Sequence, residues 1–332
     1  MDLNTTIMDN MIKEIQDIKV GIIIPVYNRL NTTKSCIERL EKLTKSFVLY
    51  VVDDNSTDGT SQMLSQFSQV KVINGTGDLW WSGTINLGMK QCLEDGCDVF
   101  IWLNDDCLIS NEHLINLATI SVHNPNAIFT PSYICSYYPN VTKHAGIIKS
   151  SPQQLAETLV IPLVHCAGQC VAFGKNIFKT LGTIDTQLFP HYGDAIYTMI
   201  ASKSGFPVYE VPSLQAKINF CCFRRIPPQN QILISKNPSN FLLRDLLSSK
   251  RSTYNLVHRL NWHILVHGKL GYIYFLLSIT RLLVFVGLAL MIRKTMSTQF
   301  CTLLSRLLYL NRSLDWQMIK LDIQEGRTNA FL

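Results

Sequence analysis

Two adjacent carboxylates, Asp105 and Asp106, follow the apolar segment Val99–Leu103, which is typical of a buried strand. Two negative charges at the end of a core strand repel each other and lose part of their hydration, so a nearby cation would stabilise them. A divalent metal ion is one such cation, and beside an open strand end it suggests a phosphate-bearing substrate. The alternative is a polar turn that merely ends the strand, and these residues alone do not decide between the two.

A second acidic pair, Asp53 and Asp54, follows another apolar segment, residues 47–52. Carboxylates in this position can accept hydrogen bonds from a nucleotide base or from ribose hydroxyls. They can also form the turn and N-cap before a helix that Thr57-Asp58-Gly59 opens. Two acidic strand ends, two strands apart, favour the binding interpretation for both pairs.

The segments between these pairs predict the elements that position them. Short runs that are apolar throughout alternate with segments of helical periodicity, which indicates an α/β fold with a mainly parallel central sheet flanked by helices. The predicted strands are 20–26, 47–52, 70–73 and 99–103, and the predicted helices are 32–43, one ending near 67, and 82–93. Ligands bind at the carboxyl ends of such strands, which here carry Asn28, Asp53-Asp54 and Asn104-Asp105-Asp106.

The second half of the chain is less regular. Residues 168–173 and 207–211 are predicted strands, and helices are predicted from about 176 and from 194 to 204. Pro227-Pro228 is the strongest boundary signal in the chain. We therefore predict an N-terminal extension over 1–18, a main domain over 19–226 and a helical C-terminal region over 227–332.

Composition and charge indicate where the protein acts. The first eighteen residues lack the continuous apolar core of a signal peptide, which predicts a cytoplasmic location, and reduced, mostly buried cysteines fit it. Residues 244–332 contain twelve Lys and Arg against four Asp and Glu, a net charge of +8, whereas residues 1–243 carry 18 against 20 and a net charge of −2. A basic tail that is also rich in Leu, Ile, Phe and Tyr predicts a membrane surface as its partner, not nucleic acid.

Residues 270–292 form a stretch of 23 residues interrupted near its middle only by Arg281. That length could span a bilayer, although a central arginine costs about 2.5–3.5 kcal/mol on insertion scales. The same stretch could lie in the membrane interface, with its basic residues reaching the head groups, or pack in a soluble helical bundle. We favour association with the inner face of the cell membrane.

Six segments resemble, in order and spacing, the motifs of family 2 glycosyltransferases, especially their bacterial rhamnosyltransferase-like branch. They are Pro25–Asn28, Val52–Thr60, Gly77–Gly88, Leu103–Asp106, Gly168–Phe173 and His191–Asp194 with Gly205-Phe206 beyond it. The resemblance covers about residues 19–220. It implies a GT-A fold and transfer of a sugar, with inversion, from a nucleoside-diphosphate donor to a glycan or lipid-linked acceptor.

The resemblance also implies roles for individual residues. The nucleotide would be bordered by Pro25, Tyr27, Asn28, Asp53, Asp54, Asn86 and Asp105, with Asp54 meeting the base and Asn86 near the nucleotide sugar. Asn104-Asp105-Asp106 takes the place of the family's Asp-x-Asp, so Asp106 is the predicted ligand of Mg²⁺ or Mn²⁺. Asn104 would bind that ion directly or through water, and His191 is a speculative third ligand.

Asp194 takes the place of the family's catalytic base in this resemblance, because inversion needs a carboxylate that accepts the proton of the attacking hydroxyl. An N-cap of its helix is the alternative. Around it the chain departs from the family pattern, with Gly193, Ile196 and Ile200 where Glu, Asp and Arg are usual. The sugar or acceptor is predicted to contact Trp80, Trp81, His191 and Tyr192, although paired tryptophans are as often part of a core.

The sequence thus predicts a glycosyltransferase of cell-surface polysaccharide synthesis, with dTDP-rhamnose favoured as donor by the branch resemblance and UDP-sugars left open. One alternative is a related binding or scaffold subunit with impaired catalysis, which Gly193, Ile196 and Ile200 motivate. Another is a sugar nucleotidyltransferase, but a Gly-rich triphosphate loop does not follow the first strand, where Tyr27-Asn28 stands instead.

Overall fold

The computed structural model describes residues 18–43, 47–136, 142–149, 159–190, 192–218, 228–234, 243–248, 252 and 254–308. The chain divides into two compact units, Met1–Asn219 and Phe220–Leu332. The predicted boundary at 226/227 and nearly all of the predicted N-terminal extension lie outside the described residues, so both remain predictions.

The first unit begins with four parallel strands in the order β3-β2-β1-β4. They are β1 (Val20–Val26), β2 (Phe47–Asp53), β3 (Val70–Asn74) and β4 (Val99–Leu103). β1 and β4 coincide with their predicted bounds, because both are apolar runs buried almost throughout, as inner strands of a parallel sheet are. Pairing of β1 with β4 stops at Ile23, two residues before Pro25, so the proline falls where that ladder has ended.

Three helices connect these strands and return the chain to the start of the next one. They are α1 (Leu30–Leu40), α2 (Thr60–Leu64) and α3 (Trp80–Glu94), with a 3-10 turn at Glu41–Leu43. α1 buries Cys36, Ile37 and Leu40 on one face, as the sequence predicts. The crossovers bring the loops after β1, β2 and β4 to the same edge of the sheet.

Beyond β4 the sheet becomes mixed and continues in the order β4-β10-β6-β11-β9-β8. Its elements are β5 (Leu108–Ile109), α4 (Asn111–His123), β6 (Ile128–Cys135), β7 (Thr142–Lys143), β8 (Gly146–Ile148), β9 (Ile161–Cys166), β10 (Cys170–Gly174), α5 (Lys175–Leu181), α6 (Gly193–Lys203) and β11 (Val208–Ile218). β10 is antiparallel to β4, and β11 is parallel to β6. The α/β fold class is confirmed, with the parallel character concentrated in the first four strands.

An aromatic cluster joins the core of this sheet to its carboxyl edge. Trp102 of β4 is fully buried, with ring centroids 5.1 Å from Phe173 and 5.4 Å from Tyr197. Trp81, at the start of α3, packs edge-on against Trp102 at 5.4 Å. Edge-to-face contacts of this kind fix ring orientation, so the core itself orients Trp81.

The second unit is helical where it is described. Its helices are α7 (Pro228–Ile234), α8 (Leu243–Ser248), α9 (Leu256–His267), α10 (Gly271–Thr295) and α11 (Thr298–Leu308). α10 packs on α7 and α9. Its 25 residues confirm the prediction of a long apolar helix in the C-terminal region. Leu256–Thr295, which joins α9 and α10, is long and apolar enough to cross a membrane by length and composition alone.

Candidate functional site

Arg29 lies between the two carboxylates at the end of β4. Its Nε is 3.3 Å from Oδ1 of Asp105, and its Nη2 donates a 2.8 Å hydrogen bond to Oδ2 of Asp106. Thr33, one turn into α1, donates to the other oxygen of Asp105 at 2.9 Å. The cation that the sequence argument requires at this acidic pair is therefore present in the chain, and Arg29 was missed. Its signal was its position directly after Asn28 at the neighbouring strand end.

Burial separates the two carboxylates in their chemistry. Asp105 is 2% exposed, and this burial raises its pKa to about 6 against the opposing effects of Arg29 and Thr33. For Arg29 itself burial disfavours the charged form, but Asp105 and Asp106 outweigh it and raise the pKa of the guanidinium. The Asp106 side chain is 32% exposed, so of the two it is the one accessible to a ligand.

Asn104 is held by Trp81 at the same strand end. The indole Nε1 donates a 2.9 Å hydrogen bond to Oδ1 of Asn104, which is the oxygen that a metal ion would need. A neutral amide accepts this bond without adding a third negative charge beside Asp105 and Asp106. In the structure, Asn104 therefore helps to position the Trp81 indole through this hydrogen bond. Direct binding of a metal ion by Asn104 remains a prediction.

Asp54 organises the loop that leads into α3. Its Oδ1 accepts from the backbone N–H of Gly77 at 2.7 Å, and its Oδ2 accepts from Leu79 and Trp80 at 2.9 and 3.1 Å. Both oxygens are thus engaged, and the side chain is 4% exposed. Asp54 acts as a remote cap of the α3 N-terminus, where backbone N–H groups need acceptors and negative charge is favourable. The prediction that it meets a nucleotide base remains untested.

The loops after β1 and β2 are tied together by polar contacts. Asp53 is buried and accepts from the Ser56 N–H and hydroxyl and from the Ser61 hydroxyl. Asn28 accepts at Oδ1 from the Thr57 N–H at 2.7 Å, and its own N–H donates to Ser56 Oγ at 2.8 Å. The structure thus brings two of the predicted nucleotide-site residues, Asn28 and Asp53, to one edge.

Two further predicted residues flank these loops with little direct bonding to them. Pro25 is partly exposed in β1, and Tyr27, just beyond the strand, is 47% exposed. An exposed aromatic ring at the carboxyl edge of a parallel sheet can stack on a planar ligand. Their predicted position beside a nucleotide is therefore sterically open.

Asp194 lies in the first turn of α6, whose N-cap position is taken by Tyr192, so the capping alternative for Asp194 is wrong. Its Oδ2 accepts a 2.6 Å hydrogen bond from the N–H of Gly168. A Cβ built on Gly168 would lie 2.5 Å from Cζ2 of Trp81 and 2.7 Å from Cβ of Asp194. Only the lack of a side chain at 168 allows Trp81 and Asp194 to come this close.

Close packing also explains the departure from the family pattern at Gly193. A Cβ there would collide with Oγ of Ser82 and lie 2.7 Å from Ile184, so a glutamate has no room at this position. Asn86 of α3 bonds both ways with the backbone of Ile184, donating at 2.8 Å and accepting at 2.9 Å. The structure uses Asn86 to join α3 to the loop before α6, and its predicted place near the nucleotide sugar remains a prediction.

Backbone strain collects at this edge of the sheet. Non-glycine residues with a left-handed backbone are Asn28, Asn55, Trp80 and Tyr192, with φ values of 51°, 59°, 58° and 62°, and these are all that the described residues contain. Each costs of order 1–3 kcal/mol and persists only where its surroundings impose it, most often at functional sites. Three of the four are predicted site residues, and Asn55 adjoins Asp54.

Comparison with known proteins identifies the fold and the family. Residues 21–182 match the family model described as glycosyl transferase family 2. Residues 21–182 therefore form a glycosyltransferase family 2 domain. This match includes the loops after β1, β2 and β4 and the start of α3, but it ends before Asp194.

Two curated relatives are similar to this chain over somewhat more than half of its length. The low-salt glycan biosynthesis hexosyltransferase Agl10 of Haloferax volcanii is 23% identical over 200 residues, covering 57% of this chain and 63% of the relative. The dTDP-rhamnosyl transferase RfbF of Shigella flexneri is 22% identical over 200 residues, covering 58% of this chain and 66% of the relative. The chain thus covers less than two thirds of each relative's own length.

A solved structure supports the GT-A fold for this chain. It is the mannosyltransferase PcManGT from Pyrobaculum calidifontis in complex with GDP-Man and Mn²⁺. The two chains superpose with a TM-score of 0.54 over 94% of this chain and 86% of the other, at 14% identity. At that identity the likeness concerns the fold, and it confirms the expected GT-A architecture.

The metal-binding capacity of the family 2 domain can be judged from its donor atoms. Within the ranges that the structure describes, no group of three or more His, Cys, Asp or Glu side chains could enclose a metal ion. Asp106 offers one accessible carboxylate, and His191 lies outside the described residues. A hard divalent ion held by one or two carboxylates and completed by substrate phosphates and water fits this donor set, whereas an all-protein metal cage does not.

The structure thus brings most of the predicted site residues to one edge of the sheet. Asp194, Trp81 and Asn104 are linked through Gly168 and one indole hydrogen bond. Trp80 is partly exposed beside them, and Tyr192 is 40% exposed. Apart from Arg29, the residue that sequence reasoning missed is Gly168, which lay inside a quoted motif without an assigned role.

Proposed function

We propose that this chain transfers a sugar, with inversion, from a nucleoside-diphosphate sugar to a hydroxyl of a glycan or lipid-linked acceptor in cell-surface polysaccharide synthesis. The observation that carries the proposal is the contact of Asp194 with Gly168 against Trp81. Through this contact, a carboxylate that could accept a proton lies at the same sheet edge as Asn104-Asp105-Asp106. A proton acceptor beside a diphosphate site is what an inverting transfer needs.

Asp194 acts as the base in this proposal. Its Oδ2 is held by the Gly168 N–H, which leaves the carboxylate oriented by the backbone while Trp81 packs beside it. As the acceptor hydroxyl attacks the anomeric carbon, the carboxylate takes the hydroxyl proton and the donor's nucleoside diphosphate leaves. A positioned base of this kind contributes about 10²–10⁴-fold to the rate.

Asp106 would hold Mg²⁺ or Mn²⁺ together with the donor diphosphate. The ion, when bound, neutralises charge that develops on the departing diphosphate. Arg29 bonds to Asp106 in the structure, and its guanidinium is itself suited to phosphate oxygens. Arg29 therefore orients Asp106 before the donor binds and adds a second positive charge at the diphosphate.

The donor is proposed to be dTDP-rhamnose or a UDP-sugar. Similarity to RfbF and Agl10, named as rhamnosyl and hexosyl transferases, supports a donor of this kind. The nucleotide would lie along Pro25, Tyr27, Asn28 and the loop that Asp53 supports, with sugar or acceptor against Trp80, Trp81 and Tyr192. We place the protein at the inner face of the cell membrane, with the apolar helix α10 associating with that membrane.

A donor screen of the full chain with Mn²⁺ tests the activity, read as release of nucleoside diphosphate. Release that depends on one donor supports transfer. Release of pyrophosphate would favour a nucleotidyltransferase, and no release with any donor would favour a scaffold subunit.

Asp194→Asn is expected to abolish turnover with folding and nucleotide affinity intact. Asp185→Asn is the matched control, because Asp185 is an exposed turn carboxylate whose Oδ1 accepts two backbone bonds that an amide oxygen can keep. Substantial turnover in Asp194→Asn would refute the assigned base.

Membrane association is tested by carbonate washing of membranes that contain the full chain. A protein bound at the interface is released by carbonate, whereas a spanning protein stays with the lipid. Release is the result that we expect, and retention would show that Leu256–Thr295 spans the bilayer.

A further inference from the structure

The second unit contains a cavity between α9 and α10 that the proposed transfer does not use. Its volume is about 340 Å³, near the lower end of the roughly 300–1,000 Å³ of small-molecule sites. Six of its nine lining residues are polar or basic, and the other three are apolar. The polar residues among its lining are Gln229, Tyr254, Arg259, His263, Ser278 and Arg281.

Helical spacing concentrates these groups at one level of the helix pair. Arg259 and His263 are four residues apart on α9, and Ser278 and Arg281 are three residues apart on α10, so each pair shares one face. The guanidinium of Arg259 donates to Oγ of Ser278 across the pair. Two cations, an imidazole and a hydroxyl therefore line the same cavity.

Neither arginine forms an ion pair with a carboxylate among the residues that the structure describes. The sequence contains no Asp or Glu between Asp245 and Asp315, so α9, α10 and α11 are free of acidic residues. Arg259 lies over the Tyr254 ring at 5.1 Å and Arg281 over the Phe285 ring at 5.8 Å. These rings orient the cations but leave their charge uncompensated.

Two buried nitrogen atoms at the same cavity have unmet hydrogen-bonding capacity. They are the Nε donor of Arg259 and Nδ1 of His263, which donates in one tautomer, and both are buried without a hydrogen-bond partner among the residues that the structure describes. A buried polar atom without a partner costs about 1–3 kcal/mol, so such atoms call for a ligand that supplies oxygens. An anion with several acceptor oxygens would satisfy both charge and hydrogen bonding.

The surroundings indicate where that anion comes from. α10 exposes large apolar side chains along its length, among them Tyr272, Ile273, Leu276, Leu277, Val284, Leu288 and Met291. An apolar surface of this extent fits lipid chains, and arginines within such a helix mark binding sites in membrane proteins. The cavity thus combines an oxyanion site with a surface suited to acyl or prenyl chains.

We propose that the cavity formed by Arg259, His263, Ser278 and Arg281 binds the phosphate group of a membrane lipid. Arginine forks donate paired hydrogen bonds to phosphate oxygens, and Ser278 lies within their reach. The lipid chains then extend along the apolar face of α10. This goes beyond the proposed sugar transfer and does not depend on it, because it concerns lipid binding and not turnover.

The test measures binding of the full chain to phosphatidylcholine vesicles that carry either phosphatidic acid or oleic acid at matched surface charge. Arg259→Gln with Arg281→Gln is expected to weaken binding to the phosphatidic acid vesicles at least about tenfold. The matched control is Arg293→Gln with Lys294→Gln, which removes the same charge from α10 outside the cavity lining. It should change binding by no more than the general charge effect seen with oleic acid vesicles.

Equal losses in the two double variants would overturn the site, because they would show only a general electrostatic attraction. Inorganic pyrophosphate could instead raise the melting temperature of the wild-type chain but not of the cavity variant, while both bind vesicles equally. That result would overturn the lipid proposal and assign a soluble phosphate ligand to the cavity. If the glutamine double variant does not fold, Arg259→Lys with Arg281→Lys keeps the charge and removes the forks. Compared with the wild-type chain, this lysine double variant should bind phosphatidic acid vesicles more weakly and oleic acid vesicles equally well. Wild-type binding to both kinds of vesicle would contradict the proposal.

Discussion

Nη2 of Arg29 donates a 2.8 Å hydrogen bond to Oδ2 of Asp106, while Nε of the same guanidinium lies 3.3 Å from Oδ1 of Asp105. One guanidinium from the loop after β1 thus offsets part of the negative charge of the acidic pair at the end of β4. An acidic strand end therefore does not by itself indicate a metal ion, because the neighbouring strand can supply the cation. A metal ion at Asp106, as proposed, would share that carboxylate with Arg29.

Arg29→Gln is predicted to lower the free energy of unfolding by about 1–3 kcal/mol at neutral pH, because Asp105 is left buried without its guanidinium partner, held only by the Thr33 hydroxyl and the Asp106 backbone. Addition of Mn²⁺ should recover part of this loss, since the ion can replace the missing charge. Chemical denaturation with and without Mn²⁺ measures both effects.

Lys34→Gln is the control for this prediction. Lys34 is an exposed cation on the same helix, and its nearest carboxylate, Glu38, is 3.9 Å away. Its loss should change stability by less than about 0.5 kcal/mol, because surface pairs contribute little. Mn²⁺ should stabilise Arg29→Gln more than wild type, and equal stabilisation of the two would show that the ion does not replace the guanidinium charge at this acidic pair.

The pH dependence of stability should reveal the buried state of Asp105. Its folded pKa of about 6 lies above the ordinary value of 3.8, so the fold favours the protonated form. This contribution is fully present below about pH 4 and is lost as the pH rises through 6, with a total of about 3 kcal/mol.

Asp105→Asn removes this titration and serves as the comparison. The unfolding free energy of wild type relative to Asp105→Asn should therefore fall by about 3 kcal/mol between about pH 4 and pH 7, measured by urea denaturation without divalent metal. Contributions of groups distant from Asp105 cancel in that difference. A difference that rises with pH instead would mean that Arg29 controls the pKa of Asp105 more strongly than burial does.

The sequence predicts the first half of the fold well, since β1, β2 and β4 are buried on both faces and are therefore apolar almost throughout. β6 escapes the same reasoning, because Pro131 and Ser132 interrupt its run although six of its eight residues are buried. α4 was not predicted either, although Ser110 caps it. In the second half, β6 forms because it pairs with β10 and β11, and its local sequence pattern does not indicate a strand.

The site is predictable in position but less so in detail. Residue types at strand ends place Asp54 and Asn104 correctly, since the sheet fixes where strands end. Their hydrogen-bond partners are backbone N–H groups and an indole that come from a loop and helix distant in sequence, and no local pattern reveals them. Gly168 and Gly193 are glycines for steric reasons that only the packed structure shows.

Gly168→Ala is predicted to impair transfer more than folding. The new Cβ would lie 2.5 Å from Trp81 and 2.7 Å from Asp194, so one or both must move. Overpacking of this kind costs about 1–3 kcal/mol of stability, while displacement of a catalytic group by 1 Å can cost about 10²-fold in rate. Turnover and thermal unfolding are measured on the same preparation.

Gly287→Ala is the matched control, because a Cβ at this helical glycine meets nothing within 4 Å. It should leave turnover unchanged and stabilise α10 slightly. Full turnover in Gly168→Ala would mean that the contact between Trp81 and Asp194 does not matter for the reaction.

Asp54→Asn distinguishes support of the α3 loop from recognition of a nucleotide base. Both carboxylate oxygens accept backbone N–H groups, and an amide keeps only one acceptor, so its NH₂ would face a donor. We expect a loss of about 1–3 kcal/mol in unfolding free energy, with weaker nucleotide binding as a consequence of the disordered loop.

Asp78→Asn is the control, because it removes the same charge from the same loop while its side-chain oxygen can still accept from Trp80 Nε1, so stability should hardly change. If Asp54→Asn instead keeps wild-type stability and loses nucleotide affinity, its carboxylate recognises the base directly and the loop does not depend on it.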